Sequence, residues 1–172
     1  LTACLQNDGN IRRLVTQMVF GTLRMRGYLD WIIRHLYRGD FTVMAEGLKN
    51  ILRTALYQLF FLDRVPSYAA VNEAVNMTEV HFRGRGGLVN AILRNAIRRK
   101  DTLPLPERSQ DLPLYVSVVH SHPRWLVEKW LALFGEEETI RLCAADNMTP
   151  PVTLRVNTLK GPREEILAEM QA

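Results

Sequence analysis

Disulfide and zinc chemistry have little to work with in this chain. Its two cysteines, Cys4 and Cys143, stand far apart and outside any paired spacing. That argues against a disulfide framework or a structural metal site and fits a reducing, cytoplasmic setting. Long apolar runs are missing as well. The longest, such as "ALYQLFFL" at Ala55–Leu62, fall well short of the ~20 residues that span a bilayer, so no membrane partner is expected. No charged leader precedes an apolar stretch and a cleavage site. The chain starts at Leu1 rather than Met, which points to a missing upstream piece. Catalytic signatures are lacking too. "GRGG" at residues 84–87 lies between two helical stretches, where neither a dinucleotide nor a phosphate loop would place it. His120 and His122 in "HSHP" come without a third ligand, so a surface or capping role outweighs a metal. Cys143 in "RLCAADN" has no His or Lys fixed beside it by spacing and reads as a small buried residue. No catalytic residue, cofactor site or metal site is assigned in this segment.

What is present is a core-forming composition with a lopsided charge. The 172 residues suit one domain, or one domain and part of a second, and 47% of them are hydrophobic. Residues 1–100 carry 15 Lys+Arg against 7 Asp+Glu, a net of +8, whereas residues 101–172 carry 7 against 11, a net of −4. Asymmetry of this kind implies a polyanionic partner for the basic half.

The first hundred residues predict helix almost throughout. In "NIRRLVTQMVFGTLRMRG", Ile11, Leu14, Val15, Met18, Val19 and Leu23 keep the spacing of one buried stripe, with Gly27 as the stop. "YLDWIIRHLYRG" places Leu29, Ile32, Ile33 and Leu36 inward and ends at Gly39. "GLKNILRTALYQLFFLDRVP" sets Leu48, Ile51, Leu52, Ala55, Leu56 and Leu59 on one face, broken at Pro66. Ser67 is the expected N-cap of the next helix. After "RGRGG", helix resumes with Val89, Ile92, Leu93, Ala96 and Ile97 inward. Five such helices with short connections make a bundle. The expected fold is therefore all-α: a helical bundle over 1–100, a linker at 101–111 and a helical connector at 112–149. Residues 150–172 would open a small, incomplete α/β domain with one strand and one helix. "LYVSVV" (Leu114–Val119) is ambiguous between helix and strand. "PRWLVEKWLALFG" and "EEETIRLCAADN" read as helices separated at Gly135, and "PPVTLRVNT" alternates with a period of two. Pro162 leads into a last helix. A single strand cannot satisfy its own backbone, so the rest of its sheet is expected beyond Ala172 unless "LYVSVV" pairs with it.

The densest charge lies in "HFRGRGGLVNAILRNAIRRK", His81–Lys100, with six cations and no carboxylate. Asn90, Arg94 and Arg98 fall on one helical row, with Asn95 and Arg99 beside it, Arg83 and Arg85 on the loop before and Lys100 after. A merely solvated face usually mixes signs through i,i+4 pairs. A one-signed face attracts phosphates and releases their counterions, and arginine adds a planar fork and a stacking surface. Arg83, Arg85, Asn90, Arg94, Arg98, Arg99 and Lys100 are the candidate RNA-binding residues, with Arg24 and Arg26 of "GTLRMRG" as a second patch. The rival reading of Arg94 and Asn90 is a tie between helices. Trp31, Trp125 and Trp130 read as core.

Several segments resemble one family. "VFGTLRMRGYLDWII", "ILRTALYQLFFLDRVPSYAAVNEAV" and "GLVNAILRNAIRR" are similar to the helical domain shared by the antitermination factor NusB and 16S ribosomal RNA cytosine-5 methyltransferases of the Sun/Fmu type. "SHPRWLVEKWLALFG" and "NMTPPVTLRVNTLKGPREEIL" resemble the region downstream of that domain, which only the methyltransferases have. The resemblance implies an RNA-recognition segment of an enzyme that uses S-adenosylmethionine (SAM) in a catalytic domain not contained here, with 16S RNA as partner. The family's Pro-Cys and Thr-Cys contexts do not occur here, so Cys4 and Cys143 inherit no role. The first helix usual in such domains corresponds at most to "LTACLQ". An antitermination module with a protein partner and a protein–protein docking module are the alternatives.

Overall fold

A computed structural model of the chain describes residues 9–149 and 153–171. The helices are α1 (Gly9–Arg24), α2 (Arg26–Leu36), α3 (Glu46–Phe61), α4 (Ser67–His81), α5 (Gly86–Arg98), α6 (Leu112–Val119), α7 (Arg124–Asp146) and α8 (Arg163–Gln171). A single 3-10 turn, Lys100–Thr102, comes after α5. No strand forms among the described residues.

The bundle is organised by α3, which packs against α1, α2, α4 and α5. Its expected inward face is buried, apart from the half-buried Leu59, and it meets Leu29, Ile32 and Ile33 of α2 and Val89, Ile92 and Leu93 of α5 in one core. Burial of each such side chain stabilises the fold by about 1.5–3 kcal/mol. A smaller cluster lies beyond the linker, where Val116 of α6 meets Val127 and Cys143 of α7, flanked by Trp130, Leu131 and Ile140. "LYVSVV" is thus helix: Asp111 caps it by accepting from the Leu114 N–H at 3.0 Å, and Pro113 sits in its first turn.

Several expectations fail in detail. The stripe of α1 is not buried: Ile11, Leu14, Val15, Val19 and Leu23 are exposed, Leu23 at 62%, and only Met18 of the six packs on the core. Periodicity identifies an apolar face but not whether another element covers it. The break between α1 and α2 falls at Met25, and Gly27 lies inside α2. Gly27 serves close approach instead: its N–H donates to Ser121 Oγ at 2.7 Å, and a Cβ there would lie 3.1 Å from that oxygen. The second helix ends at Leu36, before Gly39. Ser67 is the first residue of α4, not its cap; Pro66 takes the cap position, and its carbonyl accepts from Ala69 and Ala70. Ile97 is 38% exposed, facing a groove rather than the core. Trp125 is 66% exposed, because α7 turns Val127 and Trp130 inward from the opposite side, and Trp31 is half-buried with its indole N–H on the Pro104 carbonyl at 2.8 Å.

The linker expected at 101–111 has no α-helix, and that indole bond ties it to α2. Across Gly135 (φ 76°, ψ −179°) α7 is kinked, where the sequence places a break. Residues 153–157 have no regular structure, since a strand without a partner forms no ladder; Val152 of the alternating pattern lies outside the described residues, as does "LTACLQ". The final helix begins at Arg163, directly after Pro162.

Candidate nucleic-acid interface

The basic face is built by α5 and the loop before it. Helical geometry over Gly86–Arg98 sets Asn90, Arg94 and Arg98 on successive turns of one row. Arg94 Nε donates to Asn90 Oδ1 at 2.8 Å within the same helix. The two side chains therefore steady one another on the outer face, and the tie between helices envisaged for them is not made. The terminal nitrogens of Arg94 and the amide N–H groups of Asn90 have no protein acceptor among the described residues. Arg83, Arg85, Arg94, Arg98 and Arg99 are exposed, and none of them, nor Lys100, is in an ion pair among the described residues. Lys100 is partly committed: its ammonium donates to the Leu59 carbonyl at 3.4 Å and lies 5.7 Å from the Phe60 ring centre.

Sequence reasoning missed the group that shapes the loop. The Glu79 carboxylate, at the end of α4, accepts from the Gly84 N–H at 3.1 Å and from the Gly86 N–H at 2.9 Å. These bonds fold residues 82–86 back on α4 and hold Arg83 and Arg85 at the head of the α5 row. Gly84 takes φ +78°, which favours glycine, and a Cβ on Gly86 would push the Glu79 carboxylate off these N–H groups. The signal in the sequence was a carboxylate a few residues before a Gly-rich turn, a pattern too common in solvated helix ends to single Glu79 out.

Among the described residues, Arg24 and Arg26 make their polar contacts away from this row. The Arg24 guanidinium donates to the Asn147 carbonyl at 3.2 Å, tying α1 to the end of α7, and it lines a separate cleft with Arg12 and Arg13. Arg26 lies 3.8 Å from Asp30. Two other cations of the basic half are structural. Arg53, 4% exposed, forks onto Asp30 at 2.6 and 2.9 Å and also reaches Glu46 at 3.2 Å; Lys49 holds Glu46 at 2.8 Å. Burial opposes the charge on Arg53, but the Asp30 and Glu46 carboxylates outweigh it and raise the guanidinium pKa further.

From the linker onward, three arginines meet acids. Arg108 pairs with Glu136, Arg124 bridges Asp111 and Glu128 at 2.8 Å each, and Arg141 holds Glu137 and Glu138 at 2.7 and 2.8 Å. His120 and His122 form a corner rather than a ligand pair: His122 Nδ1 lies 2.8 Å from the His120 carbonyl, and Asn147 also donates to that carbonyl. Burial, reinforced by His122, holds the His120 pKa below its usual value. Burial, with the Asp146 charge adding to it, pushes the Cys143 thiol up.

An α3-centred bundle with a cationic outer helix defines a class of helical domain that presents a charged face. The profile of the NusB family matches residues 3–98, more than half of the chain. The chain belongs to the NusB family. Downstream, residues 122–172 match the domain described as "Methyltr_RsmF/B-like, ferredoxin-like domain". Among curated proteins, the chain is 32% identical over 162 residues to "Probable ribosomal RNA small subunit methyltransferase B" of Bacillus subtilis (strain 168), covering 94% of this chain and 36% of that relative. It is 36% identical over 162 residues to "Ribosomal RNA small subunit methyltransferase B" of Pseudomonas putida, with the same two coverages. A "Probable ribosomal RNA small subunit methyltransferase B" of Synechocystis is 34% identical over 163 residues, covering 92% and 36%. The chain thus spans about a third of the length of these relatives.

Proposed function

We propose that this chain is the RNA-holding part of a ribosomal RNA methyltransferase acting in the cytoplasm, with 16S RNA as its partner. The single observation that carries this reading is that Arg94 and Arg98, with Arg99 beside them and Arg83 and Arg85 at their head, are in no ion pair among the described residues. Free guanidinium groups on one helix offer forks to phosphates along a backbone. The relatives' names, and the downstream match, favour the methyltransferase setting over antitermination. Residues 1–100 form the RNA-binding domain, 101–111 the linker, 112–149 the helical connector and 150–172 the opening of the next domain. This division is supported by one family match ending at 98 and the other starting at 122.

In this reading SAM and the methyl transfer to cytosine C5 belong to another part of the enzyme. The chain's contribution is to grip structured RNA while the target base is turned out of its stack, a step that needs the flanking helix held. Arg83, Arg85, Asn90, Arg94, Arg98, Arg99 and Lys100 form the main contact. Arg24 and Arg26 are a secondary one, with Arg24 already drawn towards α7.

The test is a salt titration of 16S RNA binding. Affinity is expected to fall linearly, on logarithmic axes, with salt, and removing the charge at Arg94, Arg98 and Arg99 flattens the slope by roughly 0.7–0.9 for each phosphate no longer neutralised. An affinity that ignores both salt and the three substitutions contradicts the reading.

A further inference from the structure

The groove between α4 and α5 has a shape that the basic row alone does not require. It encloses about 600 Å³ and is lined by Tyr68, Val71 and Val75 of α4 and by Asn90, Arg94 and Ile97 of α5. Its apolar lining comes from Val71, Val75 and Ile97. Tyr68, whose ring would normally seek cover, is instead 78% exposed there. Among the described residues, no carboxylate lines it. Gly86 and Gly87 form part of the wall, and a Cβ on Gly87 would meet nothing within 4 Å, so backbone can be approached there closely.

Ser67 and Asn72, which can donate or accept, also line the groove, but the two polar groups on its α5 side are biased towards donation. Because Arg94 Nε donates to Asn90 Oδ1, the remaining Asn90 amide N–H groups and the Arg94 terminal nitrogens are all donors. A matching ligand needs a flat apolar face, hydrogen-bond acceptors along one edge and a negative charge beside it. A nucleotide has all three, and a groove of this volume has room for one or two of them.

We propose that this groove holds an unpaired nucleotide of bound RNA, its base stacked on Tyr68 and its phosphate on Arg94. The inference rests on the RNA reading above and deepens it: the arginine row grips backbone without regard to sequence or pairing, and the groove selects a looped-out base. Tyr68 then becomes a specificity-determining residue that no charge pattern reveals.

The experiment compares the full chain with its Tyr68→Ala, Tyr68→Phe and Arg94/Arg98/Arg99→Ala variants. The probes are an RNA hairpin carrying 2-aminopurine in its loop and a fully paired RNA duplex of the same stem. Tyr68→Ala is expected to weaken hairpin binding roughly 5- to 150-fold, the range that loss of one base–aromatic stack gives, and to abolish the quenching of 2-aminopurine on binding. Duplex affinity stays unchanged, and Tyr68→Phe keeps both the hairpin affinity and the quenching. If Tyr68→Ala affects hairpin and duplex equally, or neither, while the arginine variant weakens both, the groove proposal is overturned and the RNA reading stands. If the unaltered chain binds neither probe, both are overturned. Because Tyr68 is exposed, its substitution leaves the core intact, and matching circular dichroism spectra check that each variant is folded.

Discussion

The arginines from Arg83 to Arg99 and those at Arg108, Arg124 and Arg141 meet different surroundings. Between Arg83 and Lys100 six cations stand without an acidic partner among the described residues, whereas Arg108, Arg124 and Arg141 each hold a carboxylate. Both sets are largely exposed, so burial does not separate them. The difference is the neighbourhood: α7 interleaves Glu128, Glu136, Glu137 and Glu138 with its cations, while α5 has no acid at all. Paired surface charges satisfy one another and leave little field beyond a few ångströms, and a one-signed row projects its field outward. A third group, the buried Arg53 with the half-buried Asp30, serves the bundle itself.

That contrast can be broken most severely at its buried member. Arg53→Ala leaves Asp30 of α2, 18% exposed, with only the distant Arg26 guanidinium at 3.8 Å, and is expected to cost about 1.5–3 kcal/mol in chemical denaturation. The double variant that replaces Arg53 and Asp30 with apolar residues of similar size should recover much of that stability. Next in size is the effect on RNA. Each charged hydrogen bond to phosphate contributes on the order of 1 kcal/mol or more, so Arg94/Arg98/Arg99→Ala lowers RNA affinity by at least tenfold while shifting stability by no more than about 0.5 kcal/mol. Filter binding and a urea melt on the same samples separate the two quantities.

A smaller, pH-dependent effect belongs to the linker's end. The Leu114 N–H, and then the Arg124 guanidinium, hold the Asp111 carboxyl below its usual pKa. A depressed carboxylate pKa means stability that is present above the unfolded value and lost as pH falls through the folded one. Asp111→Ala should therefore lower the melting temperature at neutral pH, and the gap to the unaltered chain should close on acidification below roughly pH 4. A gap that persists in acid would place the effect in packing instead. Smallest of all, Arg141→Ala removes two exposed pairs on α7 and is expected to cost no more than about 0.5 kcal/mol.

The helices were legible because burial leaves a period of 3.6 in α2, α3 and α5, and the Gly-rich turn before α5 announces itself. Whether a stripe is covered was not legible: Val15 and Val19 of α1 obey the same rule as Ile32 and Ile33 of α2, yet they are exposed. "LYVSVV" could not be assigned, since a short apolar run lacks a period and the deciding bond, Asp111 to the Leu114 N–H, lies at its edge. The one-signed row was visible in sequence as an absence of acids, and it stays unpaired among the described residues. Arg24 shows the limit of such reading, because its partner, the Asn147 carbonyl, is a backbone atom 123 positions away. Glu79 and Tyr68 went unnoticed for a related reason. Their importance comes from the groups that folding places next to them.

The most direct measurement sets two charge-matched triple variants side by side. Arg94/Arg98/Arg99→Ala and Arg108/Arg124/Arg141→Ala remove the same net charge, and each is titrated with 16S RNA over a range of salt. The first is expected to lose affinity and flatten the salt dependence, and the second to keep both close to those of the unaltered chain. Equal losses in the two would reduce the contact to bulk charge and contradict the claim that one unpaired helical row makes it.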